Sequence, residues 1–285
     1  MDLVLLDCPS LLLGIDLHFF EANGFRGFSH IPPGLHVFHW GISVDSLRTA
    51  KVFMSDSDTT LILQYVAETE SFVELTSQMS YVGLTQFPES RPLAVWRDLV
   101  SEISTTHLTR ILPPSFMVSS ATPTLTDELD ANRLGDSLSS QDLLKFSDLN
   151  FNRTRPKDVH GTDLTALALD RSWQIPVDLN SLATEIQLSW TLGALISNVS
   201  AIDQWKSWMA TLCAAPSFLS KSPAFYKHLL TLWDIQIQHT PGHMLGIISI
   251  PFLETHLTQL ESLINDEIDG HWRPDLVALI RKILN

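Results

Sequence analysis

The sequence predicts an α+β protein, with a β-rich N-terminal domain followed by an all-α helical domain. Three observations carry the layout of strands and then helices. Short apolar runs separated by turn residues occupy Leu3 to Leu75, apolar residues recur at helical spacing after Pro176, and a stretch rich in Pro, Ser, Thr and Asp lies between Leu112 and Asn150. The expected organisation is a β-rich domain at 1–133, a flexible linker at 134–148 and a helical domain at 149–285.

Residues 3–6 and 11–15 read as two strands around the turn Cys8-Pro9-Ser10. The stretch Gly14 to Trp40 reads as a rigid β platform. Gly24 and Gly27 permit φ > 0 where the chain bends, and Pro32-Pro33-Gly34 fixes a turn ahead of a strand at Leu35–Trp40. In that strand His36, Phe38 and Trp40 share one face and Leu35, Val37 and His39 the other, so it is expected to be covered on both sides. Lys51–Ser55 and Thr59–Ala67 read as a hairpin through Asp56-Ser57-Asp58, and Ser71–Leu75 as a further strand. Leu93, Trp96, Leu99, Val100 and Ile103 place a helix over Pro92–Ile103.

The second half opens with a helix capped by Thr162-Asp163, running toward Trp173 and stopped by Pro176. Ser181–Ser197 is apolar around much of its circumference and should be the central helix. Ala201–Cys213 carries the narrower stripe Ile202, Trp205, Met209 and Leu212, and covers it. Ser222-Pro223 opens a helix that Pro241-Gly242 ends, and further helices follow at Pro251–Ile268 and from Pro274.

Composition bounds the function. A chain of 285 residues with 45% hydrophobic content can build a large core. A net charge of -14 is the wrong sign for gripping phosphate, so direct nucleic-acid binding is not expected. Two distant cysteines, Cys8 and Cys213, suit a reducing compartment, nucleus or cytosol. No segment reaches the roughly 18 consecutive apolar residues of a membrane span, and no membrane role is expected. The opening residues lack the basic region of a signal peptide and are interrupted by Asp7 and Pro9, and without a secretion signal the sequons at Asn152 and Asn198 are chance matches.

Catalytic signatures are missing: there is no G-x-S-x-G, H-E-x-x-H, C-x-x-C, P-loop or G-x-G-x-x-G. His18, His30, His36 and His39 are the tempting metal cluster, but His36 and His39 point to opposite faces of a strand and no thiolate accompanies them. Asp56 and Asp58 read as a solvated turn rather than a catalytic pair, and the eight tryptophans as core residues with a few interface anchors. No cofactor, metal or catalytic residue is expected.

The run Gly14-Ile15-Asp16, then Phe25-Arg26-Gly27-Phe28, then Ile31-Pro32-Pro33-Gly34-Leu35-His36, closing on His39-Trp40, resembles the A1-cistron splicing factor family, whose members are assembly factors of the U5 snRNP. The resemblance continues at Thr184-Glu185-Ile186-Gln187-Leu188, where the family often has glycine in place of Thr184, and at Gln204-Trp205-Lys206 with Thr211-Leu212-Cys213. It is weak between Leu112 and Asn150. The resemblance implies a β-sandwich-like N-terminal domain followed by an all-α VHS-like helical domain, a role in mRNA splicing and no enzymatic activity. It also implies a partner, the large U5 snRNP scaffold protein, held through its RNase H-like and Jab/MPN-like domains. The chain would occupy that scaffold, with the U5 snRNP core, in the cytoplasm, and give way to a helicase in the nucleus. A hydrolase with an unrecognised site and a membrane-traffic adaptor suggested by the VHS-like half are the alternatives.

Two sets of site residues follow. Phe25, Arg26, Ile31, Pro32 and Pro33 are expected to form a pre-ordered apolar rim with one cation for partner binding. Ser181, at the entrance to the central helix with Glu185 one turn inside, is a phosphorylation candidate whose added charge would loosen the complex, or else a plain N-cap serine.

Overall fold

The computed structural model describes residues 1–43, 46–56, 59–76, 81–88, 91–134 and 142–285. Its internal contacts divide the chain into one unit of Met1–Thr122 with Leu195–Ser197 and a second of Pro123–Ala194 with Asn198–Asn285.

The first unit contains β1 (Asp2–Leu6), β2 (Leu12–Ile15), β3 (His18–Glu21), β4 (Gly27–Ser29), β5 (Gly34–Gly41), β6 (Arg48–Ser55), β7 (Thr60–Val66), β8 (Ser71–Leu75) and β9 (Thr85–Gln86). Two helices, α1 (Arg91–Leu99) and α2 (Thr105–Ile111), and a last strand β10 (Met117–Ser119) follow. The strands form two sheets, one ordered β8-β7-β1-β4-β9 and the other β10-β6-β5-β2-β3. Leu3, Leu63 and Phe72 from the first sheet and Leu13, Phe38 and Trp40 from the second meet in one buried cluster, which is the inner layer of a sandwich.

β5 is the middle strand of its sheet, pairing with β2 on one side and with β6 from Gly34↔Ser55 to Gly41↔Arg48 on the other. Seven of its eight residues are buried, so it is covered on both faces. The expected hairpin between Lys51–Ser55 and Thr59–Ala67 does not form. β6 pairs with β5 and β10, whereas β7 pairs with β1 and β8 in the other sheet. Strand propensity and turn residues identify the two runs but carry no information on their partners. Residues 57–58 of the Asp56-Ser57-Asp58 turn lie outside the described residues.

α1 stops at Leu99, short of the expected Ile103, yet Trp96, Leu99, Val100 and Ile103 are all buried. Ser104 then caps α2 by accepting from the His107 amide.

The second unit is helical: α3 (Leu125–Leu134), α4 (Phe151–Thr154), α5 (Thr162–Leu169), a 3-10 turn (Arg171–Gln174), α6 (Leu179–Ile196), α7 (Val199–Leu212), α8 (Pro216–Lys221), α9 (Pro223–Gln238), α10 (Gly242–Ile248), α11 (Ile250–Glu267) and α12 (Trp272–Leu284). The expected single helix toward Trp173 is broken at Asp170, whose side chain accepts from the Ser172 amide and starts the 3-10 turn. Gly161, not Thr162, is the N-cap of α5. Ser222 precedes α9 but makes no side-chain cap bond.

α6 is the central helix, buried from residue 181 to 196. Thr184, Gln187, Ser189 and Thr191 are as fully buried as its leucines. The helix is therefore enclosed on its polar side as well as its apolar one.

Of the expected linker at 134–148, positions 135–141 lie outside the described residues. The part after them packs into the helical unit. The Leu144 amide donates to Pro123 O and the Leu125 amide to Leu144 O, each at 2.9 Å, and Leu143, Leu144 and Phe146 are buried.

Candidate partner-binding surface

The motif residues of the platform converge on one buried network, and Asp16 is its centre. Asp16 sits in the turn between β2 and β3 at φ 55, a left-handed conformation that Asp tolerates better than most residues. Four of its polar atoms reach β5. Its amide donates to Val37 O (2.9 Å), and Oδ1 accepts from the Val37 amide (2.9 Å). Oδ2 lies 2.7 Å from His36 Nδ1, and its carbonyl 3.1 Å from His39 Nε2.

What each ring nitrogen faces sets its hydrogen-bonding role. A carbonyl only accepts, so His36 Nε2 donates to Pro32 O (2.9 Å), and one proton bridges His36 Nδ1 and Asp16 Oδ2. His39 Nε2 donates to Asp16 O, and its Nδ1 accepts from Arg48 Nη2 at 2.8 Å. His39 is therefore neutral, and burial, together with the Arg48 charge, lowers its pKa to about 3. Burial raises the Asp16 pKa against the opposing pull of His36, and lowers that of Arg48 to about 10.

Gly14 completes the arrangement from below. A Cβ there would lie 2.0 Å from His39 Cε1, so only glycine leaves room for the ring. Phe19 closes it from the edge strand, with its ring 4.9 Å from His39 and 5.0 Å from the Arg48 guanidinium. Every polar atom of this network that contacts another is spent on holding backbone or a neighbouring ring. Among the described residues no group of three His, Cys, Asp or Glu side chains is placed to hold a metal ion.

What the network holds is the surface-bearing turn. With its carbonyl fixed by His36, Pro32 is half-buried and Pro33 exposed at the strand entry, where Gly34 adopts φ 130. The five expected rim residues do not form one continuous rim. Ile31 is 2% exposed and belongs to the core, because it lies between the two sheets. Phe25 is half-buried and stacks edge-on against Phe20 (4.7 Å) and Phe28 (4.8 Å). Phe25 and the exposed Arg26 line a cleft of about 470 Å³ with Leu5, Tyr81 and Leu84.

Pro32 and Pro33 line a different cleft, whose far wall is α1 with Leu93, Trp96 and Arg97. The contribution of α1 was not legible in the sequence, since nothing in an isolated helical stripe signals that Arg97 faces a turn more than sixty positions earlier.

In the helical unit, Asp178 and not Ser181 occupies the cap of α6. Its carbonyl accepts from the Leu182 amide, and its side chain accepts from the Asn180 amide. Ser181 is 7% exposed, with its hydroxyl donating to Asp178 Oδ2, so neither the plain-cap reading nor that of an accessible switch matches its position.

Glu185, the acidic residue of the second motif, is buried. It accepts from Ser147 Oγ (2.7 Å), the Ser147 amide (3.1 Å) and Trp208 Nε1 (3.0 Å), while Gln204 Nε2 donates to Ser147 O (2.9 Å). A buried carboxylate satisfied by neutral donors thus clamps the segment around Ser147 onto α6 and α7.

These features define a class: a β-sandwich and a helical unit whose buried ionisable side chains serve to fix backbone, with shaped clefts left on the surface of the sandwich. Residues 2–113 match the AAR2 N-terminal domain and residues 146–285 the AAR2 C-terminal repeat region. The chain is 24% identical over 239 residues, 80% of its length and 69% of the relative's, to a protein of Oryctolagus cuniculus described as "Protein AAR2 homolog". The chain belongs to the AAR2 family of splicing assembly factors, which are not enzymes.

Proposed function

We propose that this chain binds the large scaffold protein of the U5 snRNP through that protein's RNase H-like and Jab/MPN-like domains. It would do so in the cytoplasm, together with the U5 core, and yield its place to the helicase in the nucleus. The observation that carries this reading is the family match in both units, since an assembly factor acts by what it binds.

The braced turn at Pro32-Pro33 and the cleft at Phe25-Arg26 supply the pre-ordered surface that such binding favours, because little order remains to be gained on association. A net charge of -14 favours a protein partner over a phosphate backbone. Blocking the helicase needs only mass action: at a concentration of roughly a hundred times its Kd, an occupant of an overlapping surface weakens its rival about a hundredfold.

Affinity capture of the tagged full chain from cytoplasmic and nuclear fractions, read by mass spectrometry, tests the proposal. The scaffold and U5 proteins should be enriched in the cytoplasmic capture, with the helicase absent from those complexes. Capture of sorting-receptor tails, or of no U5 component, would refute it.

A further inference from the structure

We propose that the cleft between the Pro32-Pro33 turn and α1 receives an extended, carboxylate-bearing segment of a partner protein, with Arg97 taking the carboxylate. The inference deepens the scaffold-binding reading and rests on it.

The cleft consists of two adjoining hollows of about 360 and 170 Å³ that share Pro32, Leu93 and Arg97. Its floor is apolar where Phe87, Leu35 and Trp96 lie, and His30 and Gln86 add polar lining to the larger hollow. The three apolar residues are buried, and the one polar atom of the Trp96 indole already donates to Leu35 O at 2.8 Å. The floor therefore offers no hydrogen bond of its own through that ring, and suits alkyl or aromatic side chains. One wall is fixed by the bond from His36 Nε2 to the Pro32 carbonyl. The other is a helix anchored by the fully buried Trp96. Hollows of this size, narrow and bounded by a turn and a helix, fit side chains of an extended chain rather than a globular surface.

Charge selects the occupant. The protein has 32 acidic and 18 basic residues, and among the described residues Lys51, Arg153, Lys206, Lys227, Arg273, Arg281 and Lys282 pair with carboxylates. Arg97 is exposed at the cleft, and among the described residues it makes no ion pair or hydrogen bond to a carboxylate. Asp98 and Glu102, the acidic residues of the same stretch, line neither hollow. The guanidinium therefore stands beside an apolar floor with its fork open, the geometry in which arginine recognises a carboxylate bidentately. A single cation on a chain of this net charge is a poor phosphate-backbone site, which favours an acidic peptide segment over RNA.

The test uses the full chain and, as probes, the scaffold's purified RNase H-like and Jab/MPN-like domains, titrated separately at low and high salt. Arg97→Glu should weaken binding to one of the two domains by about tenfold or more at low salt, with an unchanged Tm. Arg97→Lys should stay within about threefold of the parent. Parent affinity should fall with salt more steeply than that of the Arg97→Glu protein.

If the parent binds and Arg97→Glu binds equally well, the cleft assignment is wrong while the scaffold reading stands. Binding of a single-stranded RNA oligonucleotide that Arg97→Glu abolishes would make the cleft a phosphate site and overturn the proposal. If the parent binds neither domain and captures no U5 protein, the scaffold reading fails and takes this inference with it.

Discussion

Acid should loosen the sandwich unit through His39, and the size of the effect follows from the structure. His39 is held neutral, donating to Asp16 O and accepting from Arg48, and its pKa is about 3 in the fold against about 6.5 in an unfolded chain. A depressed histidine contributes stability that is present above pH 6.5 and lost as pH falls toward 3, because the unfolded chain then binds a proton that the native state refuses. The full span is worth about 5 kcal/mol and the fraction lost by pH 5 about 2 kcal/mol, at 1.36 kcal/mol per unit.

Asp16 works in the opposite sense. With its native pKa raised, its contribution declines as pH rises above its unfolded value. His39→Gln keeps an acceptor for Arg48 and a donor for Asp16 but cannot titrate, and it retains Asp16. The difference between parent and variant therefore isolates His39. Hydrogen exchange of the Asp16 and Val37 amides, both bonded within this network, reports the local opening energy from pH 7.5 to 5. The parent should lose about 2 kcal/mol more than His39→Gln over that range. Identical pH slopes in the two proteins would refute the neutral assignment of His39.

Gly14→Ala should cost about 2–4 kcal/mol in urea unfolding, because the new Cβ displaces the His39 ring, and Gly14→Ala with His39→Ala should cost less than the sum of the two. Glu185→Ala should leave the Trp208 and Ser147 donors unpaired, costing about 2–4 kcal/mol and opening residues 142–149 to limited proteolysis, whereas Glu185→Gln, which keeps one acceptor oxygen, should do so less. Phe25→Ala should lower the Tm, since its ring packs on Phe20 and Phe28, so Arg26→Ala alone is the clean binding probe, and an unchanged Tm in Phe25→Ala would return that ring to the surface. Ser181→Glu should destabilise the helical unit by placing a second carboxylate against Asp178 in a buried turn, and a Ser181→Glu protein that melts like the parent while losing scaffold binding would restore the switch.

What the sequence determined by itself is local in origin. Short apolar runs bounded by Pro, Gly and Asp gave β1, β2 and β5 to β8, and period-3.6 stripes gave the long helices α6, α7, α9, α11 and α12, because each depends on residues a few positions apart. The surroundings of Pro32-Pro33-Gly34 were legible as a rigid turn for the same reason. Short elements such as α2, α8 and β10 were not, since a single turn of helix or three extended residues leaves too little periodicity to read.

Only the tertiary structure decided which strands pair, so that Lys51–Ser55 and Thr59–Ala67, adjacent in sequence, belong to different sheets. It also decided which residues of the rim reach the surface. Ile31 and Pro33 are two positions apart in one motif, yet one is core and the other exposed, because the chain passes here from β4 in one sheet to β5 in the other. The bond between Asp16 and His36 joins residues 20 positions apart, and the opposition of Arg97 to the Pro32-Pro33 turn joins residues more than sixty apart. Their proximity comes from sheet register and helix docking, which minimise exposed apolar area over the whole unit and leave no trace in any local window of the chain.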